Sequence, residues 1–96
     1  MMRSEVVILV IFDKKSSTFR FKTVLDTLDK FKHLSKNNPI KFLMYESLDM
    51  KRSKPAMVFE IVYLVDDINF YNELLELVKE DIKDVTFKMN IKQLKR

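Results

Sequence analysis

Few side chains in this chain stand where chemistry would need them. His33 is the only histidine, and it lies beside Lys32 and near Lys36. An imidazole works as a general base only where another group orients it against a substrate. A solvent-facing helix end is the simpler expectation here. Asp13 closes an apolar run and offers one carboxylate, whereas a hard cation needs several oxygen ligands. Asp66 and Asp67 precede an apolar-periodic segment, where an aspartate caps a helix by accepting from its free N–H groups. Glu73, Glu76 and Glu80 recur at helical spacing and read as a solvated helix side. The absence of cysteine excludes disulfides, thiolate metal sites and thiol catalysis. The absence of glycine removes glycine-rich phosphate loops. No catalytic residue, no metal and no cofactor is expected, and an enzyme is the remotest reading.

The basic residues carry more. The net charge is +4, laid out in blocks. Lys14 to Lys54 holds eleven Lys/Arg against four acids, Glu60 to Asp84 holds eight acids against two lysines, and Val85 to Arg96 adds four bases and no acid. Such blocks make solvated faces, and a basic half is also what a phosphate-binding surface needs. The candidates are Arg3 at the chain start, Lys51, Arg52 and Lys54 in a central turn, and Lys88 and Lys92 on an alternating segment near the end. Each can donate charge-assisted hydrogen bonds to phosphate without reading a base. The stretch RSKPAMVFEI can be laid over the third-strand motif of RNA-recognition modules. Proline replaces its glycine, and Ala56 and Val58 stand where stacking aromatics belong. Base stacking on the sheet is therefore not expected.

The elements that position these residues follow from hydrophobic period. Ninety-six residues suit one domain, residues 1–96, with a modest core. The opening MMRSEVVILVIFD is basic then apolar like a short signal peptide. Asp13 and two lysines end it with no small-residue cleavage site, so a strand is expected. No apolar run approaches the roughly 20 residues of a membrane helix. Glu5–Phe12 is apolar on both parities, as in a central strand. Ser16, Ser17 or Thr18 can cap a helix whose stripe is Phe21, Val24, Leu25, Leu28 and Phe31. Lys36, Asn37, Asn38 and Pro39 end it. Ile40, Phe42 and Met44 alternate with Lys41, Leu43 and Tyr45 in a second strand. DMKRSKP is a polar connection, and Ala56–Val65 is the third strand. A second helix carries Phe70, Leu74, Leu77, Val78 and Ile82 inward. Val85, Phe87, Met89 and Ile91 alternate with Thr86, Lys88, Asn90 and Lys92 in a fourth strand.

The order β-α-β-β-α-β is that of the α+β, ferredoxin-like split βαβ. Right-handed crossovers place both helices on one face of a four-stranded antiparallel sheet, with the first and third strands central. The helices should then bury Phe21, Val24, Leu25, Leu28, Leu74, Leu77 and Val78 against Val6, Ile8, Val10, Phe59, Ile61, Tyr63, Phe87 and Met89. The opposite parity, with Val7, Leu9, Ile11, Leu43, Tyr45, Ala56, Val58, Val62 and Leu64, is too apolar for a face that meets only water. Something is expected to cover it, with Leu9, Leu43, Tyr45, Val58 and Val62 as the contact residues.

The chain resembles the bacterial and organellar small-subunit ribosomal protein six family. The start MRSEVVILV is similar to that family's opening of arginine, aromatic, glutamate and apolar strand, with Arg3 and Glu5 matching and Ser4 in place of tyrosine. The end DVTFKMNIKQ matches it at Asp84, Val85 and Lys92, while Thr86 and Phe87 stand where arginine is common. The family's glycine-containing, Tyr-Pro-bearing second strand is absent. The topology covers the whole chain and the residue matches cover its two ends. The resemblance implies a structural protein that binds ribosomal RNA beside a neighbouring ribosomal protein on the open sheet face, ribosome-associated and intracellular. The composition, rich in Lys, Ile, Phe and Asn, suggests an AT-rich genome, which an organelle such as the mitochondrion, a parasite or a virus would fit. The alternative is an interaction or regulatory protein, viral or archaeal, that forms a homodimer through its sheet.

Overall fold

The computed structural model describes residues 3–13, 21–33, 39–49, 54–83 and 85–93. Along the chain run β1 (Ser4–Asp13), α1 (Phe21–His33), β2 (Lys41–Asp49), β3 (Lys54–Val65), α2 (Ile68–Val78) and β4 (Val85–Gln93). The strands form one sheet in the order β2-β3-β1-β4, with every neighbouring pair antiparallel. β1 and β3 are central, as their largely apolar runs, broken in β3 by Glu60 alone, lead one to expect. The fold is the expected α+β, ferredoxin-like arrangement.

One core joins the sheet to both helices. Val6, Ile8, Val10 and Phe12 of β1 and Phe59, Ile61, Tyr63 and Val65 of β3 meet Val24 and Phe31 of α1 and Phe70 and Leu74 of α2. Both helices therefore lie on one face. Phe12 meets Phe59 edge-on at 5.5 Å between centroids, and Tyr63 meets Phe70 in the same way at 5.3 Å. Such pairs add to area burial because ring edges are electropositive and ring faces electronegative. Leu28, Leu77, Val78, Phe87 and Met89 pack at the margin of this core, half-buried.

The helix ends follow local chemistry. Asp67 is extended (φ −113°, ψ 121°), and its Oδ1 accepts from the Asn69 N–H at 2.9 Å, capping α2. Ser16, Ser17 and Thr18, the expected caps of α1, lie outside the described residues, as do Lys36, Asn37 and Asn38 at its expected end. Among the α1 side chains that are described, Val24, Thr27 and Phe31 are buried. The apolar stripe does not predict Thr27 inside. Its hydroxyl donates to the Thr23 carbonyl at 2.7 Å, which satisfies the group within its own helix. Leu25, on the stripe and expected inside, is half exposed. The side centred on Val24, Thr27 and Phe31 turns Leu25 about 100° from Val24, to the rim.

The strands of the β2–β3 hairpin are longer than the pattern predicts. Its ladder continues through Leu48↔Pro55 and Asp49↔Lys54, so the polar connection is shorter than DMKRSKP. Pro55 is tolerated because β1 has ended opposite Ala56, leaving only β2 beside it among the described strands.

Candidate nucleic-acid and partner interface

The face of the sheet away from the helices gathers most of the expected site residues. The registers fix the rows. Lys88 of β4 stands beside Leu9, then Glu60, then Leu43; Thr86 beside Ile11, Val58 and Tyr45; Asn90 beside Val7, Val62 and Lys41. Lys92 stands beside Glu5 and Leu64. Lys88, Lys92, Leu9, Leu43, Tyr45, Val58 and Val62 thus share one surface, basic along β4 and apolar toward the middle.

The middle is not bare. Val58 and Val62 are only 5% and 4% exposed, and Ala56 is buried too. The expectation that these residues need an outside cover is corrected. Each is a short side chain between two same-face neighbours, Tyr45 and Ile11 around Val58, Lys41 and Val7 around Val62. The open apolar surface lies instead at Leu43 and Tyr45 of β2 and at Leu64, with Leu9 half-buried beside Lys88. Glu60, between Leu9 and Leu43, puts a carboxylate in the centre of the face.

The basic residues are not all brought together. Arg3 is exposed and precedes Ser4, which pairs with Gln93, so it shares one end of the sheet with Lys92. Lys88 lies four residues along β4, about 13 Å away. Lys54 pairs with Asp49 at the other end of the sheet. Lys51 and Arg52 lie outside the described residues. Lys92 faces Glu5 directly, while Lys88 faces uncharged Leu9. Opposed charges across a ladder attract, so Lys88 keeps the more available positive field.

The acids lie on the other side of the molecule. Glu73, Glu76 and Glu80 are exposed on and just after α2 in the helical layer, where Glu76 pairs with Lys79 at 3.5 Å and Glu80 pairs with Lys30 of α1. His33 is exposed and its Nε2 lies 2.9 Å from Asp29, one helical turn away. Asp13 ends β1 opposite Ala56. Among the described residues no three His, Asp or Glu side chains are grouped to hold a metal ion. Nor is any described helix long and apolar enough to cross a membrane.

Sequence reasoning missed the exposure of β2. Alternation predicts an inner row at Phe42 and Met44, yet these helix-facing positions are 50% and 63% exposed. The helices stand over the other strands, leaving between α1 and β2 an apolar groove of about 430 Å³, lined by Leu25, Leu28, Phe31, Phe42 and Ile61 among others. The signal was present, since IKFLMY is apolar on both parities like a central strand. No family model matches the chain, and neither a curated protein nor a solved structure matches it.

Proposed function

We propose that the chain is a non-catalytic structural RNA-binding protein of the ribosomal-protein-six type, which docks an RNA backbone along β4 and a neighbouring protein on the open face. The observation that carries this reading is the single surface that sets Lys88 and Lys92, with Arg3 at its end, beside exposed Leu43, Tyr45 and Leu64. Exposed lysines spaced along a strand meet phosphates as point charges and need no base contact. Ala56 and Val58 stand on β3 where sequence-reading sheet modules place stacking rings, and Tyr45 lies on the edge strand instead. Recognition is then by RNA shape and charge, and the sheet supplies rigid placement.

The test is sedimentation of lysate from the source cell on a gradient. The chain should travel with the small ribosomal subunit, and high salt should strip it off. A chain that stays at the top of the gradient at low salt contradicts the reading.

A further inference from the structure

β2 is an edge strand of nine residues, with β3 its one neighbour among the described strands. Lys41 through Leu48 are all exposed. Large apolar side chains emerge on both faces, Phe42, Met44 and Leu48 toward the helix side and Leu43 and Tyr45 on the open side. An edge of this kind is a template for another strand, which proteins ordinarily blunt with lysine, proline or a bulge. The opposite edge follows that rule, with Lys88 and Lys92 alternating along β4. The middle of β2, from Phe42 to Ser47, holds one charge, Glu46, and no lysine or proline.

We infer that β2 pairs antiparallel with β2 of a second copy of this chain, about a two-fold axis at Tyr45. The choice of partner rests on self-complementarity. In a continuous sheet, residues directly opposite must project to the same face, so the axis must pass through a residue. Only an axis at Tyr45 pairs all nine residues of β2. It sets Lys41 opposite Asp49 at both ends, Phe42 opposite Leu48, Leu43 opposite Ser47, Met44 opposite Glu46, and Tyr45 opposite its own copy. Opposite charges and aromatic pairs are the favourable cross-strand combinations. An axis at Met44 would leave Asp49 without an opposite residue in β2, and an axis at Glu46 would leave Lys41 without one and set the Glu46 position against its own copy. The resulting eight-stranded sheet covers the exposed β2 side chains and leaves both β4 edges free at its far ends. The dimer leaves the RNA-binding side along β4 free, while it takes up Leu43 and Tyr45 and leaves Leu64 and Leu9 of the open face to a neighbouring protein; dimer formation and RNA binding can each fail without the other.

The experiment uses the full chain in sedimentation equilibrium, with disulfide trapping. The wild type should be a concentration-dependent dimer. Met44→Lys should be monomeric with an unchanged circular dichroism spectrum and melting temperature, because the side chain is already in solvent. Lys41→Asp should weaken the dimer at least tenfold, and Lys41→Asp/Asp49→Lys should restore it. The chain has no cysteine of its own. Tyr45→Cys should therefore give a disulfide-linked dimer on mild oxidation, since directly opposed strand positions lie within disulfide reach. Leu43→Cys should not, because the axis at Tyr45 places the two copies of position 43 four residues apart. A wild type that is monomeric at every concentration overturns the inference. So does a dimer that survives Met44→Lys, or one trapped through position 43 and not 45.

Discussion

Tyr63 links three elements through one side chain. It is 1% exposed on β3, its ring stands edge-on to Phe70 of α2, and its hydroxyl donates to the Phe31 carbonyl in the last turn of α1 at 3.3 Å. The last carbonyls of a helix have no partner within it, and this bond supplies one to the Phe31 carbonyl. Tyr63→Phe should cost about 1 kcal/mol in denaturant unfolding. Burial raises the Tyr63 pKa from 10.0, because the phenolate would lose its hydration. The neutral form is thus favoured in the folded chain. Its contribution is complete below pH 10 and is lost as pH rises through the raised folded value. Stability of the wild type should fall in that alkaline window, and Tyr63→Phe should fall less. Ile61, 2% exposed beneath α1, belongs to the same core. Ile61→Ala should cost roughly 2–5 kcal/mol, and Leu28→Ala, half-buried at the margin, should cost less.

Among the elements, α2 shows how a start signal is read from sequence. The Asp66–Asp67 pair ahead of Phe70 and Leu74 marks a cap, and Asp67 makes the bond. Asp67→Ala should cost about 1 kcal/mol of thermal stability, with Asp66→Ala, at an exposed position before the cap, close to neutral. The central strands were equally readable, because a strand buried on both faces must be apolar on both parities. The pattern failed where neighbours decide the outcome. Val58 and Val62 are apolar outward residues by parity, yet both are buried on the central strand β3, with Tyr45, Ile11, Lys41 and Val7 as their same-face neighbours. Leu25 lies on the apolar stripe by spacing, yet which part of a stripe is covered depends on how the helix rolls on its sheet. β2 has the two-sided pattern of a central strand and the position of an edge, a conflict that a second β2 would resolve. The six basic candidates were found by type alone. That Arg3 and Lys92 lie at one end and Lys54 at the other is a property of strand direction, which composition does not contain.

Across the whole molecule, both layers carry charges of both signs, and their strongest blocks lie on different sides. The acids of α2 and the segment after it occupy the helical side, and β4 presents its lysines on the open side. The open face also carries Glu5 and Glu60, so its basic part is the β4 edge. Under the proposed function an approaching polyanion would be drawn to that edge before contact forms. The local pairing refines this. Lys88, opposite Leu9, should contribute more to RNA affinity than Lys92, opposite Glu5, and Lys88→Ala should weaken binding more than Lys92→Ala in a filter-binding titration. The most direct test of an RNA-binding sheet side is the salt dependence of binding to small-subunit ribosomal RNA for three proteins: wild type, Lys88→Ala/Lys92→Ala, and the control Lys79→Ala/Lys83→Ala from the acidic half. Removing one lysine that neutralises a phosphate should flatten the slope of log K against log salt by about one unit, because one fewer counterion is released. The β4 pair should therefore flatten it by roughly one to two units while the control leaves it unchanged. Equal slopes for all three proteins would contradict the account.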